Sequence, residues 1–404
     1  MLFLIAWRNL KRNRRRSAVV LASIVVGVVS LMLYDGLSYG MMVEMLDNAI
    51  GNSIGHIQIH GKGFHDNRVI QLHIPDRAEA ERALEGVEGI SGWSSRVVSF
   101  GLLSSALGSS GGIMLGVDSA REQGVSYVGA KVVEGRYVAA GGREILVGRK
   151  MAEKLHVGIG DKVVGMASAL DGEVGSELFR VVGIFETVSS DFDKTHVFIP
   201  LGTVQGMLSM EQRIVEIAIT VQDVERVDEV ASEIRSRLGE GYEVLTYKEQ
   251  LPILVATLEM YDQMLFIIYL IIGLAMIFGI VNTMLMSVFE RIQEFGVLMA
   301  IGMRNRLVFN MVMAEALCLA AVGTLAGLIL GTASTLLLGH VGINLRMFAE
   351  GFASFGVGTT IYPVLRLNGF LGILVTIPVT TMLGAVYPAW RATRLQPVSA
   401  IRYV

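Results

Sequence analysis

The chain has 404 residues, of which 52% are hydrophobic and 18% charged, and its formal net charge at pH 7 is -3. This composition is too apolar for an ordinary soluble protein of this length, and the mixed charges argue against the basic surface that nucleic-acid binding requires. The single cysteine, Cys318, excludes an intrachain disulfide and a metal site built from several cysteines, so we predict a membrane protein without such sites.

The first predicted element is a membrane span at residues 17–34. It is one of four runs without charged residues, the others being 263–289, 316–338 and 367–390, and a hydrocarbon core of about 30 Å takes roughly 20 helical residues. The first run follows the basic sequence RNLKRNRRRS, is longer than the apolar part of a typical secretory signal, and lacks a clear cleavage site. We therefore interpret it as an uncleaved anchor.

A polar region at 41–261 separates the first two spans. Short β-branched runs predict strands at GHIQIHG, VVSFGLLSS, KVVGMAS, FRVVGIF and VEIAITV, and helices are predicted at RAEAERALEGV and VERVDEVASEIRSRLG. In the second of these helices the residues expected on the apolar face are Val224, Val227, Val230, Ile234 and Leu238. The pattern predicts an α+β domain inserted between spans one and two.

The distribution of Lys and Arg predicts the orientation of the spans, because short cytoplasmic loops are enriched in these residues. The residues that favour the cytoplasmic side are Arg8, Lys11, Arg12, Arg14, Arg15, Arg16, Arg291, Arg304, Arg306, Arg391, Arg394 and Arg402. The loop between spans three and four carries only Arg346 and Arg366, as expected for the outer side. Both termini are therefore predicted to be cytoplasmic, and the 41–261 domain to face the periplasm or the cell exterior.

A short charged segment, ERIQEFGVLMAIGMRNR, joins spans two and three. Its apolar residues Ile292, Phe295, Leu298 and Met299 recur at helical spacing, which predicts an amphipathic helix at the cytoplasmic face of the membrane. Such a helix is either a simple interfacial turn or a docking element for a cytoplasmic partner. Gly296 and Gly302 favour docking, because glycines permit close backbone approach but weaken a helix that has no partner.

This segment, together with YPAWRATRLQPVSAIRYV at the C-terminus, resembles the FtsX-like permease domain of LolC, LolE and MacB. The sequences AWRNLKRNRRRS, LVGRKMAEKLHVGIGDKVVG and FRVVGIFETVSSDFDKTHVFIPL resemble the matching MacB-like outer domain. The resemblance implies a multi-pass α-helical membrane protein with four transmembrane helices and a large α+β extracytoplasmic domain inserted between helices 1 and 2. The implied divisions are 1–40 for the N-terminus and first helix, 41–261 for the outer domain and 262–404 for the permease domain.

The resemblance also implies a mechanotransmission-type ABC transporter, in which residues 290–304 form a coupling helix seated on an ATPase. The implied coupling residues are Glu290, Arg291, Glu294, Phe295, Gly296, Leu298, Ile301, Gly302 and Arg304. The sequence contains no G-x-x-x-x-G-K-[ST] phosphate-binding loop. We therefore expect a separate ATPase to bind ATP and Mg²⁺. This chain itself is expected to bind no cofactor and to catalyse no reaction. A second permease chain, identical or different, is implied in the same bacterial inner membrane.

In LolC- and LolE-like members the cargo is a lipoprotein that is drawn from the outer leaflet between spans one and two and handed to a periplasmic carrier. The residues that the resemblance places against its acyl chains are Leu31, Leu33, Met264, Phe266 and Ile267. Carrier-binding members of the family hold the carrier with an extended, proline-containing loop, the hook. The corresponding loop here, ASALDGEVGSEL, is short and lacks proline, which argues against carrier docking. The alternatives are MacB-like efflux of a drug or peptide from the periplasm and FtsX-like signalling to a cell-wall hydrolase.

Two features within the third span have structural and functional interpretations. Gly323, Gly327 and Gly331 form a ridge without side chains, for which we favour packing against span two or four over a subunit interface. Glu315 lies directly before this charge-free run, at the start of the same span, where an acidic residue is either a functional group or a contact to a neighbouring helix. We favour the structural interpretation for Glu315.

Two other patterns suggest enzymatic or metal sites. The sequence GSSGG matches G-x-S-x-G with Ser110 at the position of a nucleophile, but strand-like runs flank it, so we favour a hairpin tip over a hydrolase. His56 and His60 share one face of a predicted strand, with His65 and His73 nearby. Their spacing does not require zinc, and we expect exposed or hydrogen-bonded histidines.

Overall fold

The structure is a computed structural model that describes residues 8, 14–345, 347, 351–352 and 356–394. It divides into a helical unit, comprising Met1–Met42, Leu258–Asn344 and Thr360–Val404, and a sheet unit, comprising Val43–Thr257 and Leu345–Thr359. The basic residues Lys11, Arg12, Arg346 and Arg402, on which part of the orientation prediction rests, lie outside the described residues.

The helices and strands follow one another along the chain with short connections. The described helices include α1 (Arg14–Ala49), α2 (Arg77–Ala83), α3 (Arg149–Leu155), α4 (Ser190–Thr195), α5 (Leu201–Met207), α6 (Val227–Arg237), α7 (Tyr247–Gln250), α8 (Pro252–Glu259), α9 (Tyr261–Glu290), α10 (Ile292–Ala300), α11 (Asn305–Val341) and α12 (Leu367–Thr393). The strands are β1 (Ile57–Gly61), β2 (Ile90–Ser104), β3 (Ser109–Val117), β4 (Val132–Gly135), β5 (Glu144–Gly148), β6 (Lys162–Ser168), β7 (Val174–Phe185), β8 (His196–Pro200), β9 (Glu216–Val221), β10 (Tyr242–Thr246), β11 (Ile343–Asn344) and β12 (Thr360–Ile361).

Four of the described helices are long and apolar enough to cross a membrane, namely Ser17–Ile54, Tyr261–Glu290, Asn305–Val341 and Leu367–Thr393. The predicted architecture of four spans with an α+β domain between the first two is confirmed. The first helix runs further than the charge-free sequence suggested, because Asp35 does not end it. That aspartate is paired inside the helical unit, so the helix continues through Ala49.

The glycine ridge of the third span packs against α1. A Cβ atom built on Gly323 would lie 2.8 Å from Ile24, and one built on Gly327 would lie 2.7 Å from Val28. The partner predicted from sequence, span two or four, was therefore wrong. The ridge lets the α1 and α11 backbones approach closely, because the β-branched side chains of α1 occupy the space that glycine leaves empty.

Replacing Gly327 with leucine is expected to lower the free energy of unfolding by about 1–3 kcal/mol, because the new side chain forces α1 away from α11. Gly279 on α9 is the matched control, since a Cβ there meets nothing within 4 Å, and Gly279→Leu should have little effect. Unfolding of both variants in mixed micelles measures the difference. Equal effects of the two substitutions would contradict the close packing of α1 on α11.

The sheet unit is built on a ten-stranded sheet in the order β10-β1-β9-β2-β3-β8-β5-β7-β4, with β6 bridging β2 and β7. Because β6 joins these two strands, β2, β3, β8, β5, β7 and β6 close into a ring. Strand β2 has 15 residues, and its length allows its first half to pair with β9 while its last residues pair with β6. The sheet therefore consists of a closed ring and an extension made by β9, β1 and β10.

The helices that cover this sheet begin and end where local chemistry predicts. Asp76 caps α2 by accepting hydrogen bonds from the backbone N–H groups of Ala78 and Glu79. On α6, Val227, Val230 and Ile234 are buried, as the amphipathic pattern predicted. Val224 differs, because it lies in a short turn before the helix and is 42% exposed.

Candidate functional site

The helix predicted at 290–304 is present but shorter, as α10 (Ile292–Ala300), and only Arg291 separates it from the end of α9. Ile292 and Gly296 are buried, and the side chain of Phe295 is 1% exposed, so one face packs on the helical unit. Gly302 has φ 100°, a conformation that favours glycine, and a Cβ there would meet nothing within 4 Å. Gly302 therefore makes the turn into α11 and does not permit a close approach within this chain.

A buried ion pair fixes α10 to α11. Arg291 donates from Nη1 to Glu315 Oε2 at 2.9 Å and from Nε to Glu294 Oε2, also at 2.9 Å. Its guanidinium lies 5.0 Å from the ring centre of Phe295. The side chains of Arg291 and Glu315 are only 8% and 11% exposed, so this pair anchors the helix from within. A charged residue left alone at this depth would be costly.

This pair changes the role predicted for Arg291 and agrees with the structural contact favoured for Glu315. Arg291 was grouped with residues that contact an ATPase, but its buried side chain places it among the residues that position α10. Glu315 was assigned a structural contact with a neighbouring helix, and its partner is Arg291, at the beginning of α10. The sequence carried a signal for this pairing: Glu315 is an acidic residue beside an apolar run, and Arg291 is a basic residue at the end of the preceding span.

The other face of α10 is exposed and partly apolar. Val297 is 46% exposed and Ile301 is 80% exposed, and they lie about one turn apart on the same side of the helix. Glu290, Glu294 and Arg304 are also exposed, whereas Leu298 is half-buried. We call the pair Val297 and Ile301 the apolar stripe of α10.

A second polar cluster lies at the opposite end of α9. Arg366, which precedes α12, donates from Nη1 to Asp35 Oδ1 of α1 at 3.1 Å and from Nη2 to Asp262 Oδ1 of α9 at 2.5 Å. The hydroxyl of Tyr261 donates to Asp35 Oδ1 at 3.1 Å. The guanidinium also lies 4.3 Å from the ring centre of Tyr39 and 4.8 Å from that of Tyr261. We call these five residues the clasp, because they join α1, α9 and the start of α12.

The clasp depends on a close approach between α1 and α12. A Cβ atom on Gly369 would overlap the Oδ2 atom of Asp35, so only glycine leaves room for this carboxylate. Asp35 is 4% exposed. Sequence analysis missed the cluster, although its residues flank three of the four apolar runs. Their convergence depends on how the helices pack and not on any local pattern.

Two family profiles match the sequence. The MacB-like periplasmic core domain matches residues 17–237, more than half of the chain, and the FtsX-like permease C-terminal profile matches residues 266–397. The chain belongs to the MacB-like and FtsX-like family of ABC transporter permeases. With its four apolar helices, this permease is an inner-membrane protein, and membership of the family implies a partner ATPase and a second permease chain.

Individual relatives are similar over much of their length. The permease is 25% identical over 304 residues to the lipoprotein-releasing system transmembrane protein LolC of Xylella fastidiosa (strain Temecula1), covering 72% of this chain and 73% of that protein. It is 25% identical over 414 residues to the macrolide export ATP-binding/permease protein MacB of Nitrobacter winogradskyi, covering 98% of this chain but 59% of that protein. Among solved structures, the periplasmic region of MacB from Actinobacillus actinomycetemcomitans matches 50% of this chain and 94% of that chain, with 16% identity and a TM-score of 0.36.

The residues expected to contact acyl chains occupy different environments in the permease. Met264, Phe266 and Ile267 of α9 are 54%, 64% and 57% exposed. Leu33 is half-buried, and Leu31 is 1% exposed within the core of the helical unit. Of the five residues, the three on α9 are therefore exposed, whereas Leu31 belongs to the core of the helical unit.

The remaining sequence patterns of the permease have structural explanations. Ser110 lies in strand β3, not on a strand-to-helix elbow, and its Oγ accepts a hydrogen bond from Lys154 Nζ at 2.9 Å. His60 is buried, with Nε2 2.9 Å from Gln58 Oε1, and burial lowers the pKa of its imidazole to about 4. Within the described ranges, no three His, Cys, Asp or Glu side chains converge in a way that could hold a metal ion.

Proposed function

We propose that this permease is the membrane subunit of a transporter that releases lipoproteins from the inner membrane, powered by ATP and Mg²⁺ bound to a separate ATPase. The observation that carries the proposal is the similarity to LolC, which extends over 73% of that relative. The exposed apolar surface of α9 supports it, because Phe266 and its neighbours offer a lipid-facing surface on which CH₂ groups gain about 0.8 kcal/mol each when buried. In this proposal a periplasmic carrier receives the released lipoprotein, and docking of the carrier on this chain is not proposed.

In the proposed mechanism the ATPase moves α10, and α10 moves the spans. Because Arg291 joins α10 to Glu315 on α11, a displacement of α10 pulls directly on the third span. The clasp joins α1, α9 and the start of α12. A lipid-anchored cargo that enters between α1 and α9 requires this connection to loosen. The proposed cycle therefore alternates between a closed and an open clasp.

Placing a charge on the apolar stripe of α10 is expected to weaken ATPase docking. Ile301→Asp and Val297→Asp should each lower the amount of co-purified ATPase about tenfold, because an unpaired carboxylate is then buried at the interface. Both side chains are exposed in this chain, so its thermal stability should not change. Glu294 is a less suitable target than the sequence suggested, since it also pairs with Arg291.

The control for this experiment is Gln212→Asp, which adds the same charge at an exposed residue of the sheet unit. It should leave the recovery of the ATPase unchanged. Docking also tests the proposed orientation, because only a cytoplasmic α10 meets a cytoplasmic ATPase. Normal ATPase recovery with both stripe variants would mean that α10 is a simple interfacial turn.

The cargo is tested by reconstituting the complete transporter in proteoliposomes with an acylated lipoprotein and with the same polypeptide lacking its lipid anchor. The proposal expects ATP-dependent appearance of the acylated form in the soluble fraction when a carrier is present. Transport of the unacylated form alone would reject lipoprotein release.

A second candidate function is export of a small molecule or peptide from the periplasm. It is favoured by the similarity to MacB, which spans 98% of this chain. The short turn between β6 and β7, where Ala169 N–H donates to the carbonyl of Glu173 at 2.8 Å, also favours it. A turn of this size does not extend far enough to form a carrier-binding hook. In the proteoliposome experiment this candidate predicts that acylation has no influence on transport.

A further inference from the structure

The sheet unit contains a cavity of about 310 Å³ on one face of strands β1, β9, β2, β3 and β8. Strand register explains why its lining residues share that face, because directly opposed residues of antiparallel strands point to the same side. His60 of β1 and Arg96 of β2 both lie opposite Glu216 of β9. The volume is at the lower end of the range for small-molecule sites.

The polar half of the cavity rests on a buried cluster of three charges. Arg96 contacts Glu122 at 2.6 Å and Glu216 at 2.8 Å. The relative exposure of Arg96 and Glu122 is 1% and 0%, and that of Glu216 is 6%. One guanidinium thus faces two carboxylates, which leaves the cluster one positive charge short when both are ionised.

Of the three charged residues, Glu216 is the one that lines the cavity. Its Oε1 atom accepts from Arg96, whereas in the described part of the chain no hydrogen bond reaches its Oε2 atom. Burial raises the pKa of Glu216, and the charge of Arg96 opposes that effect. An ionised carboxylate at this depth is costly unless a second cation or donor reaches it.

The other half of the cavity is an apolar wall. Val98 lies opposite Leu115 and Phe100 lies opposite Ile113 across the β2–β3 pair, on the same face as Arg96. Phe100 is 46% exposed although it lies within a sheet. The wall therefore leaves apolar surface open directly beside the charged cluster.

The side chains of the described cavity lining that can carry a positive charge are those of His60, His65, Arg68 and His196. Burial lowers the pKa values of His60 and His196 to about 4, so both line the cavity as neutral groups at pH 7. Arg68 is an exposed cation of the lining, and it forms no ion pair with any residue that the structure describes. It competes with any cationic ligand for the same carboxylate.

We propose that this cavity binds an amphipathic cation, namely a molecule with an ammonium group on a compact apolar body. The ammonium donates to Glu216 Oε2 and supplies the charge that the cluster lacks, while the apolar body covers Phe100 and the β2–β3 wall. The site lies wholly within the sheet unit and is separate from the cargo surface of α9. It does not depend on which cargo the permease transports.

The test uses the full-length permease in maltoside micelles and three probes of matched shape: 4-phenylbutylamine, 4-phenylbutan-1-ol and 4-phenylbutyrate. Saturation-transfer NMR, with protein-free micelles as the blank, measures the affinity of each probe. The amine is expected to bind about tenfold more tightly than the alcohol, because only the amine adds a positive charge to its hydrogen bond with the carboxylate, and the carboxylate probe should bind weakest.

Three variants identify the groups responsible. Glu216→Gln should remove the preference for amine over alcohol, and Phe100→Ala should weaken both probes by about the same factor, since it removes only apolar contact. Arg68→Gln should strengthen amine binding, because it removes a competing cation. Phe100→Ala and Arg68→Gln alter exposed side chains, so they keep the test valid if Glu216→Gln fails to fold. Equal binding of amine and alcohol to the parent, or tighter binding of the carboxylate, would overturn the proposal.

Discussion

Replacing Glu315 with alanine is expected to lower the free energy of unfolding by about 3–5 kcal/mol, because it leaves the buried guanidinium of Arg291 without its main partner. Unfolding in mixed micelles measures this change. Glu294→Gln is the matched control, since Glu294 contacts the same guanidinium at the same distance of 2.9 Å but its side chain is 43% exposed. An exposed ion pair contributes about 0–1 kcal/mol, so this control should be mild.

The double variant Arg291→Met with Glu315→Leu separates the effect of a lost ion pair from the effect of a lost side chain. It should recover most of the stability, because neither charge of the buried pair remains and Glu294, which also loses Arg291, is 43% exposed. If it does, a further measurement becomes informative: ATP hydrolysis by the assembled transporter should continue while cargo movement falls, since α10 is no longer held to α11 by a charge pair. An effect of Glu315→Ala as small as that of Glu294→Gln would contradict the anchoring role.

Replacing Asp35 with alanine is expected to destabilise the helical unit by about 3–5 kcal/mol, because Arg366 then loses its buried partner. The side chains of Asp35 and Arg366 are only 5% and 12% exposed. Asp262→Asn removes the other partner of the same guanidinium, but the side chain of Asp262 is 57% exposed, so its loss should cost no more than about 1 kcal/mol. Thermal unfolding of the purified permease ranks the two variants.

A change at Gly369 tests the geometry of the clasp without removing a charge. Gly369→Ala places a methyl group against Asp35 Oδ2, so it should mimic Asp35→Ala in direction. Gly279→Ala, at a position with nothing within 4 Å, should be neutral. If Gly369→Ala has no effect, or if Asp262→Asn is as harmful as Asp35→Ala, the buried carboxylate is not what holds these helices together.

Much of the local structure of this permease could be predicted from sequence. The four apolar runs predicted the membrane helices, because a bilayer span needs a minimum length of apolar residues wherever the rest of the chain goes. Alternation in β6 and helical spacing in α6 similarly depend on residues close together in the chain. The helix α10 was predictable for the same reason, as were its buried Ile292 and Phe295.

The pairings that connect these elements were decided only by the tertiary structure. Arg291 and Glu315 are 24 residues apart and Asp35 and Arg366 are 331 apart, and no sequence period links residues at such separations. Sequence analysis also assigned the glycine ridge to the wrong partner, because a ridge specifies close packing but not which helix supplies the side chains. Composition and periodicity thus determined the membrane helices, the helix between spans two and three, and part of the strands and helices of the sheet unit. The folded chain determined which charges meet, because only a packed interior makes an unpaired charge costly enough to select one partner.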